Sequence, residues 1–305
     1  MKVCPTLLAL ALLFLPLLPA SAETAPAVTV PEATRTEDVA YGHKFGFALT
    51  LDVIQPTQPN GYGLVCIVSG AWRSSHDWTS TKNYAPFLER GYTVFAVCHA
   101  CQPKFTVPEI TEDVNRAVRF IRHNAGQWKV NPDKLGVYGS SAGGHLSLTL
   151  GTGGGPGKAD AKDPIDRESS AVQCVACFYP PSDFLNYGAP GEVAFSTTGL
   201  LKDLRPAFFA TDAEATPENQ QQLGHQISPI YHITAQMPPT LIIHGDADKR
   251  VPLEQSQNFV QKATEAGATA KLIVKPGAGH GWPDLHPDMA VLADWFDQYL
   301  RGIKK

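Results

Sequence analysis

Charge is sparse in this chain. Only 18% of its 305 residues are Asp, Glu, Lys or Arg, and the formal net charge is −4. There is no basic stripe, so a nucleic-acid partner is not expected. Past residue 22 no apolar run is long enough to cross a bilayer, and the mature chain is expected to be soluble. No internal repeat is present, which excludes a solenoid or a propeller. Cysteine is thin as well. Of six cysteines, Cys4 lies at the extreme N-terminus; Cys66, Cys98, Cys101, Cys174 and Cys177 remain. An odd number argues against a full disulfide framework. Two pairs have C-x-x-C spacing, which invites a zinc reading. But "VFAVCHAC" and "VQCVACF" read as strands, where i and i+3 point to opposite faces and cannot grip one ion. The simplest reading is small, buried apolar side chains. A local Cys98–Cys101 bridge stays open.

What is present begins with "MKVCPTLLALALLFLPLLPASA". One positive charge, Lys2, precedes an apolar run from Leu7 to Leu18. Pro16 and Pro19 would break a helix there. The stretch closes on Ala20-Ser21-Ala22, the small-x-small pattern a signal peptidase accepts. Residues 1–22 are therefore expected to be a secretory signal cleaved after Ala22, and the protein secreted or periplasmic. Residues 23–38 read as a polar lead-in, and 39–305 as a single domain with one large core.

From about residue 40 two textures alternate. Short β-branched apolar runs ("FALTLDVI", "LVCIVSG", "YTVFAVC", "KLGVYG", "AVQCVACFY", "TLIIHG", "TAKLIVKPG") are followed by stretches of helical period. In "PEITEDVNRAVRFIRHNAGQW" the residues Ile110, Val114, Ala117, Val118 and Ile121 share one face. Pro108 and the early acids suit its N-terminus. Such alternation predicts an α/β fold with a mostly parallel central sheet flanked by helices on both faces. Two stretches break the rhythm: the glycine-rich 151–170, and 186–238, which reads as a lid-like insertion. The first is no phosphate loop, because Lys158 is followed by Ala159 and the stretch follows a helix.

The chemistry starts at "GVYGSSAGGH". Gly139-Ser140-Ser141-Ala142-Gly143 is G-x-S-x-G at a strand–helix junction, the context that makes the motif informative. Ser141 is the candidate nucleophile. A serine needs a base, and the base needs an orienting acid. In the order Ser, Asp, His, the acid should follow a late strand and the His the last one. "TLIIHGDADKRVP" supplies Asp246 and Asp248, and "KLIVKPGAGHGWP" supplies His280. Both lie at C-terminal strand ends, the edge where open α/β sheets bind ligands. Asp183 in "YPPSDF" is a displaced alternative acid. His244 is read as fixing its loop, and His145 lies inside the helix after the nucleophile.

These residues resemble a family. The chain is similar to α/β-hydrolase serine esterases, above all the bifunctional feruloyl and acetyl-xylan esterases, with kinship to hormone-sensitive-lipase-like enzymes. "GSSAGGH", "HGDADKRVP" and "GAGHGW" carry the likeness. The pattern H-G-x-x-D-x-x-V-P implies Asp248 as the acid, and G-H-G implies His280 as the base. The departure is "VSGAW": Val68-Ser69-Gly70-Ala71-Trp72 stands where the family reads His-Gly-Gly-x-Trp. The resemblance implies oxyanion donors at Gly70 or Ala71 together with Ala142. These are backbone N–H groups, which any residue except proline supplies. It implies that Trp72 and the insertion shape the pocket. It further implies a small ester or acylated polysaccharide as substrate, with no metal or organic cofactor. Two other readings stand beside the esterase. A serine peptidase of oligopeptidase type shares the residue order but usually carries a large gating domain, for which this chain has no room. A catalytically inactive binding protein would account for the altered "VSGAW" turn, yet has no need of all three of Ser141, Asp248 and His280.

Overall fold

The computed structural model describes residues 31–304. The expected secretory leader, residues 1–22, lies outside the described residues. Eight strands form one sheet: β1 (Ala33–Lys44), β2 (Phe47–Pro56), β3 (Gly63–Val68), β4 (Thr93–Cys98), β5 (Leu135–Ser140), β6 (Cys174–Phe178), β7 (Thr240–Gly245) and β8 (Ala270–Lys275). Their spatial order is β1-β2-β4-β3-β5-β6-β7-β8. β1 and β2 are antiparallel to their neighbours, and β3 to β8 run parallel. Six helices complete the fold: α1 (Ala85–Leu88), α2 (Val107–His123), α3 (Ala142–Gly153), α4 (Pro217–Ile227), α5 (Glu254–Glu265) and α6 (His286–Leu300).

The alternation within each strand divides the core in two. Val65, Ile67, Val137 and Cys177 pack with α2, α3 and α5 on one face. Leu64, Cys66, Tyr138, Cys174 and Phe178 pack with α1 and α6 on the other. Because both faces are covered, the central strands are apolar throughout rather than alternating. Cys174 and Cys177 thus belong to opposite cores, as an i, i+3 pair on a strand must. Cys98 and Cys101 are free, so the local bridge does not form. The Cys101 thiol instead donates to Ser74 O at 3.4 Å.

Two expectations need correction. Residues 33–38 of the lead-in do not stay outside the fold, because β1 begins at Ala33 and pairs with β2 along its length. As an edge strand with a largely solvent-facing surface, it needs few apolar residues and gives no hydrophobic signal. Arg35 fastens it by donating to the buried Asp52 at 2.6 and 3.1 Å. The long helix stops at His123, and residues 125–128 turn as a 3-10 helix ending on a left-handed Lys129. Its start follows the expected chemistry. Thr106 caps it, and Glu109 reaches back to the Thr106 N–H at 2.8 Å.

The irregular stretch 186–238 lies between β6 and β7. It folds as 3-10 turns around α4 and is seated on buried Phe184, Phe195 and Phe208. The Phe195 and Phe208 rings lie 4.7 Å apart. Gln255 of α5 pins its entrance, accepting from Ser182 and Asp183 N–H and donating to Asn186 O. Among the described residues, no helix is long and apolar enough to cross a membrane.

Candidate active site

The turn from β5 into α3 holds Ser141 at φ 54° and ψ −119°, a backbone region that L-residues avoid. The glycines around it are a steric necessity. A Cβ on Gly139 would sit 2.5 Å from the Gly143 backbone, and one on Gly143 would sit 2.5 Å from Ile67 O. Only bare backbone fits the crossing, so the strain is held at Ser141. The Ser141 N–H donates to Phe178 O, and His145 N–H donates to Ser141 O, opening the helix.

Three chain-distant side chains meet at this edge of the sheet. Ser141 Oγ lies 2.9 Å from His280 Nε2. His280 Nδ1 lies 2.7 Å from Asp248 Oδ2. With Nδ1–H directed at the carboxylate, Nε2 is left as the acceptor for the serine proton. The other carboxylate oxygen of Asp248 accepts the Arg250 and Val251 N–H groups at 2.8 and 3.0 Å. Burial works against ionisation of Asp248. Hydrogen bonds from His244, His280, Val251 and Arg250 outweigh it and hold the carboxyl well below the usual carboxylate range.

The other candidates are engaged elsewhere. Asp183 accepts from Leu185 and Asn186 N–H, from the Asn186 amide and from Tyr231 OH, which closes the loop after β6. Asp246 accepts the Gly277 N–H at 2.6 Å on the surface. His244 stands directly behind the acid, fully buried. Its Nε2–H donates to Val251 O at 2.8 Å and lies 3.3 Å from Asp248 Oδ2, and its Nδ1 accepts from Ser256 at 2.6 Å. It therefore fixes the acid-bearing loop, as the sequence suggested.

The oxyanion residues divide. Gly70 closes a tight turn with Arg73, each N–H donating to the other's carbonyl at 2.9 Å. Its N–H is consumed, so Gly70 is withdrawn as a donor. Ala71 and Ala142 keep N–H groups without a partner among the described residues. The altered residues cause no backbone strain, since neither Val68 nor Ser69 has positive φ; Ala71 and Trp72 do, at 48° and 55°. Gln102 offsets that strain by donating its side-chain amide to Ala71 O and its N–H to Trp72 O. Ser74 Oγ donates to Val68 O, bracing the turn.

Trp72 does not line the pocket. It is 1% exposed, and its ring packs on Phe184, Phe208 and His145. Its indole N–H donates to His145 Nδ1 at 3.2 Å, and His145 Nε2–H donates to Ile227 O at 2.8 Å. Burial pushes His145 down to about 4, so it is neutral and suited to this relay. The left-handed backbone at Ala71 and Trp72 is what turns the side chain inward. The aromatics at the open side are others. A cavity of about 890 Å³ runs beside Ser69 and Ser140, walled by Trp78, Tyr138 and Trp282. Tyr179 links it to the base, its ring 4.7 Å from His280 and 5.7 Å from Trp282. Trp282 follows His280 in "GHGW", a position the motif itself marked.

The family model BD-FAE matches residues 51–263. The chain belongs to the BD-FAE family. The match holds Ser141 and Asp248 and ends before His280. Esterase LipC of Mycobacterium tuberculosis is 26% identical over 231 residues, covering 74% of this chain and 54% of LipC. The chain thus spans about half the length of the curated relatives it matches. Among solved structures, a truncated carbohydrate esterase from gut microbiota aligns with TM-score 0.74 and 26% identity, over 90% of this chain and 100% of that one. An acetyl ester-xyloside bifunctional hydrolase from Caldicellulosiruptor lactoaceticus shares the fold, with TM-score 0.68 and 20% identity over 90% and 96%. By family and fold, this BD-FAE member is an α/β-hydrolase.

Proposed function

We propose that this protein is a secreted serine esterase acting on acetyl or feruloyl esters of plant polysaccharide. The observation that carries the reading is the unbroken hydrogen-bond line from Asp248 through His280 to Ser141. In this mechanism His280 Nε2 takes the Ser141 proton as Oγ attacks the ester carbonyl. Asp248 holds the imidazole tautomer and stabilises the imidazolium. Ala71 and Ala142 N–H groups receive the tetrahedral oxyanion; one such donor is worth roughly 3 kcal/mol of transition-state stabilisation. His280 then protonates the leaving alcohol, activates a water, and the acyl group leaves Ser141 as the acid.

The carbohydrate-esterase relative and the leader sequence support a substrate outside the cell. The test is hydrolysis of p-nitrophenyl acetate, p-nitrophenyl butyrate, methyl ferulate and acetylated xylan by mature protein and by Ser141→Ala. Turnover that disappears in the variant supports the mechanism. A folded parent without turnover, or a variant that keeps it, refutes it.

A further inference from the structure

A second cavity, of about 450 Å³, opens on the far side of the oxyanion loop. Ser74 and Ser75 line one side of it, and Lys44, Phe47, His99 and Phe105 line others. Its rim is the β1–β2 hairpin. The two central residues, Phe45 and Gly46, have φ 48° and 82°. Such a turn favours Asn-Gly, and a bulky residue with φ > 0 is a true outlier. The strain holds Phe45 80% exposed, beside Phe47 at 52%. Both rings pack on Phe105, with centroids 6.1 and 6.3 Å away. Phe45 and Phe47 thus face solvent over a buried Phe105.

Two polar features accompany this pair. Lys104 Nζ lies 5.3 Å from the Phe47 centroid, and among the described residues it has no carboxylate partner. Lys44, by contrast, is paired with Asp113 at 2.5 Å. His99 is only 5% exposed. Its Nδ1–H donates to Ala100 O at 2.6 Å, and its Nε2 is buried without a partner. Burial pushes His99 down to about 4, so the ring is neutral and adds no second cation to the cavity wall.

The position matters most. Leu51 of β2 pairs with Val97 of β4, so Phe47 projects past the end of β4, on the catalytic edge of the sheet. In the strand order, β2 is three places from β5, which carries Ser141. At the usual inter-strand spacing that is about 15 Å, the span of a few sugar rings. The oxyanion loop lies between them, held by Gln102 from the cavity side.

We propose that the exposed Phe45–Phe47 pair, seated on buried Phe105, together with Lys104 and the adjoining cavity, forms a second carbohydrate site, which holds a carboxylate-bearing polysaccharide strand next to the catalytic groove. The exposed Phe45 and Phe47 rings pack against C–H faces of sugars, and Lys104 pairs with a uronic acid carboxylate. One unpaired cation is too few for an anionic membrane surface, which calls for a basic cluster. The inference rests on the polysaccharide reading above, and the experiment keeps the two apart.

Binding of glucuronoxylan oligosaccharides and of neutral xylo-oligosaccharides is measured by calorimetry on Ser141→Ala protein, so that no turnover intervenes. Phe47→Ala in that background should weaken both about tenfold, equivalent to about 1.4 kcal/mol. Lys104→Gln should weaken only the acidic ligand. In the active protein, Phe47→Ala should leave p-nitrophenyl acetate hydrolysis unchanged and slow release of acid from polymer. Absence of oligosaccharide binding, or binding untouched by Phe47→Ala, overturns the site whatever the esterase assay shows. A change in oligomeric state on Phe47→Ala with binding intact assigns the hairpin to a second copy of this chain and overturns it as well. Failure to release acid from any polymer refutes the polysaccharide esterase reading, while the binding result still stands or falls alone.

Discussion

Trp72→Phe separates two roles for the residue after the oxyanion turn. The family resemblance implies that Trp72 shapes the substrate pocket, whereas the structure buries it between α3 and the insertion. The substitution removes the indole N–H and leaves His145 Nδ1 without its donor in a fully buried place. An unsatisfied buried acceptor costs about 1–3 kcal/mol. Loss of ring volume among Phe184 and Phe208 adds packing loss, so a total of about 2–4 kcal/mol is expected. For a domain of this size each kcal/mol lowers Tm by about 2–4 °C. Thermal and urea unfolding should therefore show a drop of roughly 5–15 °C with an unchanged m-value. The backbone of the turn is held independently, by the Gly70–Arg73 pair and by Gln102. The ratio of kcat/KM for butyrate over acetate esters should thus stay within about twofold, well under the 1.4 kcal/mol of a tenfold effect. An unchanged Tm with an inverted acyl preference would sink the argument.

Asp248→Asn keeps the shape but favours the wrong His280 tautomer, and kcat should fall by about 10⁴-fold with little change in KM, read with p-nitrophenyl acetate. Gly143→Ala should abolish soluble expression or lower Tm sharply, because its Cβ would meet Ile67 O at 2.5 Å; normal stability would show that the β5–α3 crossing relaxes. Asp248 also predicts a pH trend. Its carboxyl is depressed in the folded state, so the stability it contributes is complete above the ordinary Asp range and is lost as pH falls through and below that range. Urea midpoints from pH 7 down to pH 3 should show a loss that is smaller in Asp248→Asn; equal slopes would exclude the linkage. N-terminal sequencing of exported protein should begin at Glu23 if the leader is cleaved after Ala22.

The site was legible wherever chemistry demands a fixed motif beside a strand end. G-x-S-x-G, H-G-D-A-D and G-H-G each sit at a parallel strand's C-terminal end, so topology alone gathers Ser141, Asp248 and His280. The strands β3 to β7 were legible because their apolar runs are buried on both faces, and β2 and β8 because they still carry short β-branched apolar runs. β1 was not, since an edge strand such as "ATRTEDVAYG" can be mostly polar and still pair. α4 was hidden because "PENQQQLGHQI" buries only Gly224 and Ile227, too little to impose a helical period.

Sequence by itself determined the class of chemistry, the order of its three residues and the sheet that carries them, because these follow from local pattern and connectivity. Tertiary structure alone decided which oxyanion N–H groups are free, which way Trp72 faces, what His145 and His244 hold, and that an aromatic hairpin shares the catalytic edge. Each of those depends on a left-handed φ or a partner dozens of residues away. Neither leaves a trace in residue type, since Ala71 and Trp72 carry no local preference for the conformation that packing imposes on them.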